Sequence, residues 1–122
     1  MVINIQSGQP LQGELRVPAD KSISHRAVIL SALAPGRSTI HNFLPAADTF
    51  STLRCVQELS VTVERQGTVL QVHGRGWKGL REPERVLDCG NSGTTMRLLS
   101  GLVAGCSFFT VLSGDPSLQQ RP

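Results

Sequence analysis

Between Pro18 and the pair Pro35-Gly36 the sequence leaves the backbone little choice but to form one helix. Pro18 stops the extended segment before it, and Asp20-Lys21-Ser22 is a helix start, because an aspartate can accept from the N–H groups that the first turn leaves unpaired. Ile23, Ala27, Leu30 and Ala34 recur at helical spacing, so Ser22 to Ala34 is expected to bury that face. The opening turns gather the Lys21 ammonium, the Ser22 and Ser24 hydroxyls and the Arg26 guanidinium where the helix dipole adds partial positive charge, a surface suited to a phosphate or carboxylate. Lys21 and Lys78 are the only lysines among twelve basic side chains, so Lys21 is not one member of a generic basic face. On spacing alone, a solvated helix start accounts for these residues slightly better.

The rest of the chain alternates short β-branched runs with helical periodicity. Val2 to Ile5 and Gly13 to Val17 read as strands, followed after the first helix by a strand over Ser38 to Asn42. A second helix is expected to be capped by Asp48 and to run to Leu59, with Leu53, Val56 and Leu59 buried and Arg54 and Glu58 paired on its surface. Gln66-Gly67 then joins Val61 and Val63 to Val69 and Val72 as a hairpin. Trp77 and Lys78 sit in a glycine-rich loop, where a solitary Trp more often plugs a small surface cluster than covers a ligand. Arg81 to Arg85 reads as a solvated connection and Val86-Leu87 as a short strand. Gly90-Asn91-Ser92-Gly93-Thr94-Thr95 is a strand-to-helix loop, and Met96, Leu99 and Val103 mark the helix after it. A residue without Cβ lets backbone N–H groups approach a ligand oxygen, although such a loop alone is common turn chemistry, and no Gly-Lys-Ser/Thr makes it a nucleotide loop. Phe108 to Leu112 is expected to be a strand, after which Ser113-Gly114-Asp115 turns the chain toward Arg121.

Composition narrows the function classes. The 122 residues carry a net charge of +3, with 39% hydrophobic and 17% charged residues, enough for one modest core. Basic residues are scattered from Arg16 to Arg121, and four Phe, one Trp and no Tyr leave little for base stacking, so small anions fit better than nucleic acid or a membrane. No apolar stretch approaches a membrane span and no signal sequence is visible. Cys55, Cys89 and Cys106 suggest neither a disulfide framework nor a zinc site, and a reducing cytoplasm suits them. His25 reads as a hydrogen-bonded or solvated helix residue rather than an acid or base, and His41 and His73, without neighbouring acids, carry no signal.

Three ordered words add specificity. Pro18-Ala19-Asp20-Lys21-Ser22-Ile23-Ser24-His25-Arg26-Ala27, Asp88-Cys89-Gly90-Asn91-Ser92-Gly93-Thr94-Thr95-Met96-Arg97 and Gly114-Asp115-Pro116-Ser117-Leu118-Gln119-Gln120-Arg121-Pro122 together resemble the N-terminal part of the EPSP synthase (3-phosphoshikimate 1-carboxyvinyltransferase) family of enolpyruvyl transferases. Ser92 stands where Ala is usual in that family, and Leu98 where Pro often follows the arginine. The resemblance implies an α/β inverse-repeat fold of βαβαββ units, with residues 1–18 as strands of the other, C-terminal domain and 19–122 as a truncated part of the N-terminal substrate-binding domain. It implies transfer of the enolpyruvyl group of phosphoenolpyruvate to the 5-hydroxyl of 3-phosphoshikimate with release of phosphate, without metal or organic cofactor. Lys21 would contact both substrates, Ser22 and Arg26 the shikimate carboxylate, and Gly93 and Arg121 phosphoenolpyruvate, with Asn91, Thr94 and Arg97 supporting that pocket. The acidic catalytic residues would lie in a missing C-terminal part, leaving this chain an inactive fragment by itself. The competing readings are the sister enzyme acting on UDP-N-acetylglucosamine, and a non-catalytic anion-binding domain.

Overall fold

The computed structural model describes every residue except Gln9, Leu11 and Pro122, the last residue of the third word. Its elements run α1 (Lys21–Leu33), β1 (Gly36–Ile40), α2 (Ala47–Glu58), β2 (Thr62–Gln66), β3 (Val69–Gly74), β4 (Leu87–Asp88), α3 (Gly93–Val103), β5 (Leu112–Ser113) and α4 (Pro116–Gln119). The order α1-β1-α2-β2-β3 is a βαβαββ unit without its first strand, and β4-α3-β5-α4 opens a second.

Helix α1 begins where the sequence places it. The Asp20 carboxylate accepts from Ile23 N at 2.7 Å, and the Ser24 hydroxyl donates back to Asp20 O at 2.7 Å. Its buried face, however, is Ser24, His25, Val28, Ile29 and Ala32, while Ile23 and Leu30 stay 66% and 65% exposed. Apolar residues surround this helix on nearly every side, so periodicity leaves the phase open and packing against α2 and β3 decides it.

The antiparallel sheet has the order β1-β3-β2, with β3 central. Gly67, at φ 60°, closes the hairpin between β2 and β3 as the Gln66-Gly67 pair predicts. At its far end β3 runs hard against the C-terminus of α1, where Arg75 N donates to Ala32 O at 3.1 Å and so satisfies one carbonyl that the helix end leaves over. A Cβ on Gly74 would collide there with the carbonyl oxygens of Ser31 and Ala34. Val28, Ala32, Val56, Leu59, Leu70 and Val72 form the centre of the core between the helices and this sheet.

Several expectations fail for identifiable reasons. Among the described residues no strand forms before Gly36. Val2, Ile3, Ile5, Leu15 and Val17 are exposed, since a run with strand character extends a sheet only where a partner edge takes up its backbone groups. Asp48 lies inside the first turn of α2 instead of capping it. The N-terminal role falls to Thr49, whose hydroxyl donates to Leu44 O at 2.6 Å and accepts from Ala46 N at 3.1 Å. Arg54 donates to Ser51 Oγ at 3.0 Å, and no Arg54–Glu58 ion pair forms among the described residues. His73 does have an acid beside it, Glu64 at 3.0 Å, through the β2–β3 pairing. The strand expected over Phe108 to Leu112 shrinks to Leu112–Ser113, which pairs parallel with β4. Trp77 behaves as a plug, its Nε1 donating to Gly105 O at 2.9 Å. Among the described residues no helix is long and apolar enough to cross a membrane.

Candidate functional site

Helix α3 starts at Gly93, ahead of the Met96 that opens its apolar period, because Ser92 is a competent cap that accepts from Thr95 N at 3.1 Å. The loop before it turns on Gly90, whose φ of 56° disfavours a side chain. The loop is tied to the segment before α4, since Asp115 N donates to Gly90 O at 2.9 Å. Asp115 also caps α4 through Leu118 N at 2.8 Å, with Pro116 in the first helical turn. This brings Arg121, just past α4, over the loop, where its guanidinium donates to Asn91 Oδ1, to Asn91 O at 3.4 Å and to Ser117 Oγ at 3.4 Å.

The result is an open pocket of about 280 Å³ lined by Gly93, Met96, Arg97, Ser100, Leu118 and Arg121. Three residues singled out in the sequence, Gly93, Arg97 and Arg121, thus share one wall. A Cβ on Gly93 would stand 3.6 Å from Arg97 Nη1 and 3.8 Å from Arg121 Nη1, so the backbone at Gly93 faces two guanidinium groups. Asn91 stands at the rim and orients Arg121; Thr94 follows Gly93 in the first turn without lining the pocket.

Lys21, Ser22 and Arg26 lie on the exposed face of α1 and do not line this pocket. Lys21 is linked to the start of α3 through Asp48. The Lys21 ammonium is 2.9 Å from Asp48 Oδ2, and the Thr95 hydroxyl of α3 lies 3.3 Å from Asp48 O. The N-terminal turns of α1, α2 and α3 therefore meet at one end of the molecule. An exposed pair such as Lys21–Asp48 contributes about 1 kcal/mol or less, so an incoming anion can take the ammonium at small cost.

Beneath these turns runs a buried polar row that the sequence reading missed. His25 Nδ1 meets Thr52 Oγ1 at 2.7 Å, Thr52 meets Thr95 Oγ1 at 2.7 Å, and Thr95 donates to Ser92 Oγ at 2.7 Å. All four side chains are buried. Each hydroxyl can donate or accept, so the direction of the bonds along the row is tied to the His25 tautomer. The other ring nitrogen, Nε2, is buried without a partner among the described residues. The readable signal was the spacing of Thr49, Thr52, Val56 and Leu59, which sets hydroxyls on the apolar stripe of α2.

Burial lowers the His25 pKa, with Lys21 adding to the fall and Asp48 opposing it. A histidine held neutral in the fold binds fewer protons than the unfolded chain, so its contribution to stability is complete above the ordinary value of 6.5 and is lost as pH falls below it. Urea midpoints at pH 7.5 and 5.5 are expected to drop further for the native chain than for His25→Gln. Equal drops would show that His25 is not held neutral.

The cysteines are all free. A hydrogen bond with Cys89 and then burial push the Cys55 thiol far up, which removes it as a nucleophile.

The EPSP synthase profile, described as 3-phosphoshikimate 1-carboxyvinyltransferase, matches residues 5–122. The chain belongs to the EPSP synthase family. The 3-phosphoshikimate 1-carboxyvinyltransferase of Syntrophomonas wolfei is 56% identical over 93% of this chain and 27% of its own length. That of Roseiflexus sp. is 55% identical over 100% of this chain and 28% of its own. A solved EPSP synthase from Acinetobacter baumannii superposes with a TM-score of 0.84 at 40% identity, covering 90% of this chain and 25% of that one. The α/β fold expected of an enolpyruvyl transferase is thereby established, and the chain spans little more than a quarter of these EPSP synthases.

Proposed function

We propose that this chain supplies part of the substrate cleft of an EPSP synthase, which joins the enolpyruvyl group of phosphoenolpyruvate to the 5-hydroxyl of 3-phosphoshikimate and releases phosphate. The observation that carries the reading is the wall formed by Gly93, Arg97 and Arg121, two guanidinium groups converging on the backbone at a helix start. Phosphoenolpyruvate, with a phosphate and a carboxylate, is the smaller ligand and fits this wall. The exposed start of α1, carrying Lys21, Ser22 and Arg26, takes the carboxylate of 3-phosphoshikimate, and Lys21 reaches both substrates when it leaves Asp48.

Gathering several anionic groups in one orientation is the contribution these residues make to the reaction. The proton donor for the methylene carbon and the base for the attacking hydroxyl are assigned to the portion of the relatives' length that this chain does not span. In this reading residues 1–18 belong with that portion and 19–122 with the substrate-binding domain. The enzyme works in the cytoplasm, on small molecules, without a cofactor.

Gly93→Ala tests the pocket without perturbing the fold. The added methyl finds its neighbours at 3.6 Å and beyond, which is ordinary van der Waals contact, so the melting temperature is expected to hold. Calorimetric titration is expected to show phosphoenolpyruvate weakened on the order of tenfold, a loss similar to one charge-assisted hydrogen bond, with 3-phosphoshikimate affected less. If both affinities stay unchanged, Gly93 is a turn residue and the assignment of the pocket fails.

A further inference from the structure

We propose that Asp115 is a positioning residue for the Arg121 guanidinium, acting through the Asn91 amide. Asp115 Oδ2 accepts from Asn91 Nδ2 at 2.7 Å, while Asn91 Oδ1 accepts from Arg121 Nη2. An ionised carboxylate only accepts and a guanidinium only donates, so an amide between them can lie one way round. Asp115 thereby sets the orientation of Asn91, and Asn91 sets that of Arg121. The other carboxylate oxygen holds Leu118 N at 2.8 Å, and Leu118 is itself part of the pocket wall. One side chain thus fixes the loop before α3, the start of α4 and the cation that follows α4. The hydrogen bonds from Asn91 and Leu118 also hold the Asp115 carboxyl below its ordinary range, which keeps it an acceptor.

The consequence for binding follows from donor geometry. Nη2 is engaged by Asn91 Oδ1 and Ser117, while Nη1, which donates one N–H to Asn91 O at 3.4 Å, lies beside Gly93, where its second N–H would meet an oxyanion in the pocket. Without Asp115 the amide is free to turn and would offer its own N–H groups to the guanidinium, releasing Arg121 from this pose.

The functional part of this inference rests on the pocket assignment above, so the test separates the two. Asp115→Asn keeps a competent helix cap but sets two amide donors against each other. Adding Asn91→Asp restores the pattern in reverse, because the new amide at position 115 can donate to the new carboxylate at position 91, whose second oxygen accepts from Arg121. Guanidinium rotation at Arg121, read by nitrogen-15 NMR on the ligand-free chain, is expected to be slow in the native protein, fast in Asp115→Asn and slow again in the double variant. Affinity for inorganic phosphate and for phosphoenolpyruvate should fall on the order of tenfold and return in the same series. Unchanged rotation in Asp115→Asn, or fast rotation in a folded double variant, overturns the positioning role. Rotation that changes and recovers while both affinities stay constant supports the positioning role and overturns the pocket assignment instead.

Discussion

Gly74→Ala is expected to be the most destabilising single methyl that can be added to this chain among its described glycines. The built Cβ would overlap the carbonyl oxygens of Ser31 and Ala34, both backbone atoms at the end of α1. Neither can rotate away as a side chain would, so relief requires moving β3 off the helix. That movement would stretch the Arg75 N to Ala32 O bond and open the packing of Val28 and Ala32 on Leu70 and Val72. Overpacking costs typically 1–3 kcal/mol, and a clash with two fixed oxygens puts this case at about 3 kcal/mol or more. A domain of this size is stable by only about 5–15 kcal/mol, so a fall in melting temperature on the order of 10 °C is expected. Gly101→Ala is the control. Nothing lies within 4 Å of its Cβ position and it sits inside α3, where replacing Gly by Ala adds about 0.5–1 kcal/mol of stability. Melting curves of the two variants should move in opposite directions, and a Gly74→Ala curve matching the native one would refute the close approach of β3 to α1.

The contrast between these glycines also shows what is readable in advance. Asp20, Ser92 and Asp115 act within three residues of themselves, so the helix starts they cap are visible in the sequence as local chemistry. Gly67 is readable for the same reason. Gly74 is not, since its requirement arises from α1, far away along the chain. The buried face of α1 escapes the periodicity because Ile23 and Leu30 fit it as well as Val28 and Ala32 do, and only the sheet and α2 choose between them. The N-terminal strands fail because alternation reports capacity for pairing, whereas pairing itself needs an edge within reach.

The candidate site divides along the same line. Lys21, Gly93 and Arg121 stand in words specific enough to be picked out, and the fold brings Gly93 and Arg121 together with Arg97. The Lys21–Asp48 pair leaves no local trace because its partners are 27 positions apart, and Asp115 orients an Asn91 that lies 24 positions before it; Thr52 shows only as a hydroxyl on the apolar stripe of α2, since its partner His25 also lies 27 positions away. A carboxylate that orients another side chain leaves no spacing in its own neighbourhood.

Lys21→Met is expected to remove most of the affinity for both proposed substrates while leaving the fold intact. The ammonium is half exposed and paired with Asp48, and its position at the first residue of α1 carries no core packing. Methionine keeps the length and helix propensity of the side chain and deletes only the charge. If a single ammonium is shared by the anionic groups of phosphoenolpyruvate and 3-phosphoshikimate, both affinities should fall together, each by roughly 1.5–3 kcal/mol, or about ten- to a hundredfold. This pattern differs from that of Gly93→Ala, where the smaller ligand suffers more. Asp48→Asn gives the opposite perturbation, releasing the ammonium from its resting partner, and is expected to strengthen anion binding modestly at low salt because the exposed pair it breaks is weak. Parallel calorimetric titrations of each ligand onto the two variants and the native chain decide the matter. A Lys21→Met protein that melts normally and binds both ligands unchanged would return the start of α1 to the solvated reading that its spacing alone allows.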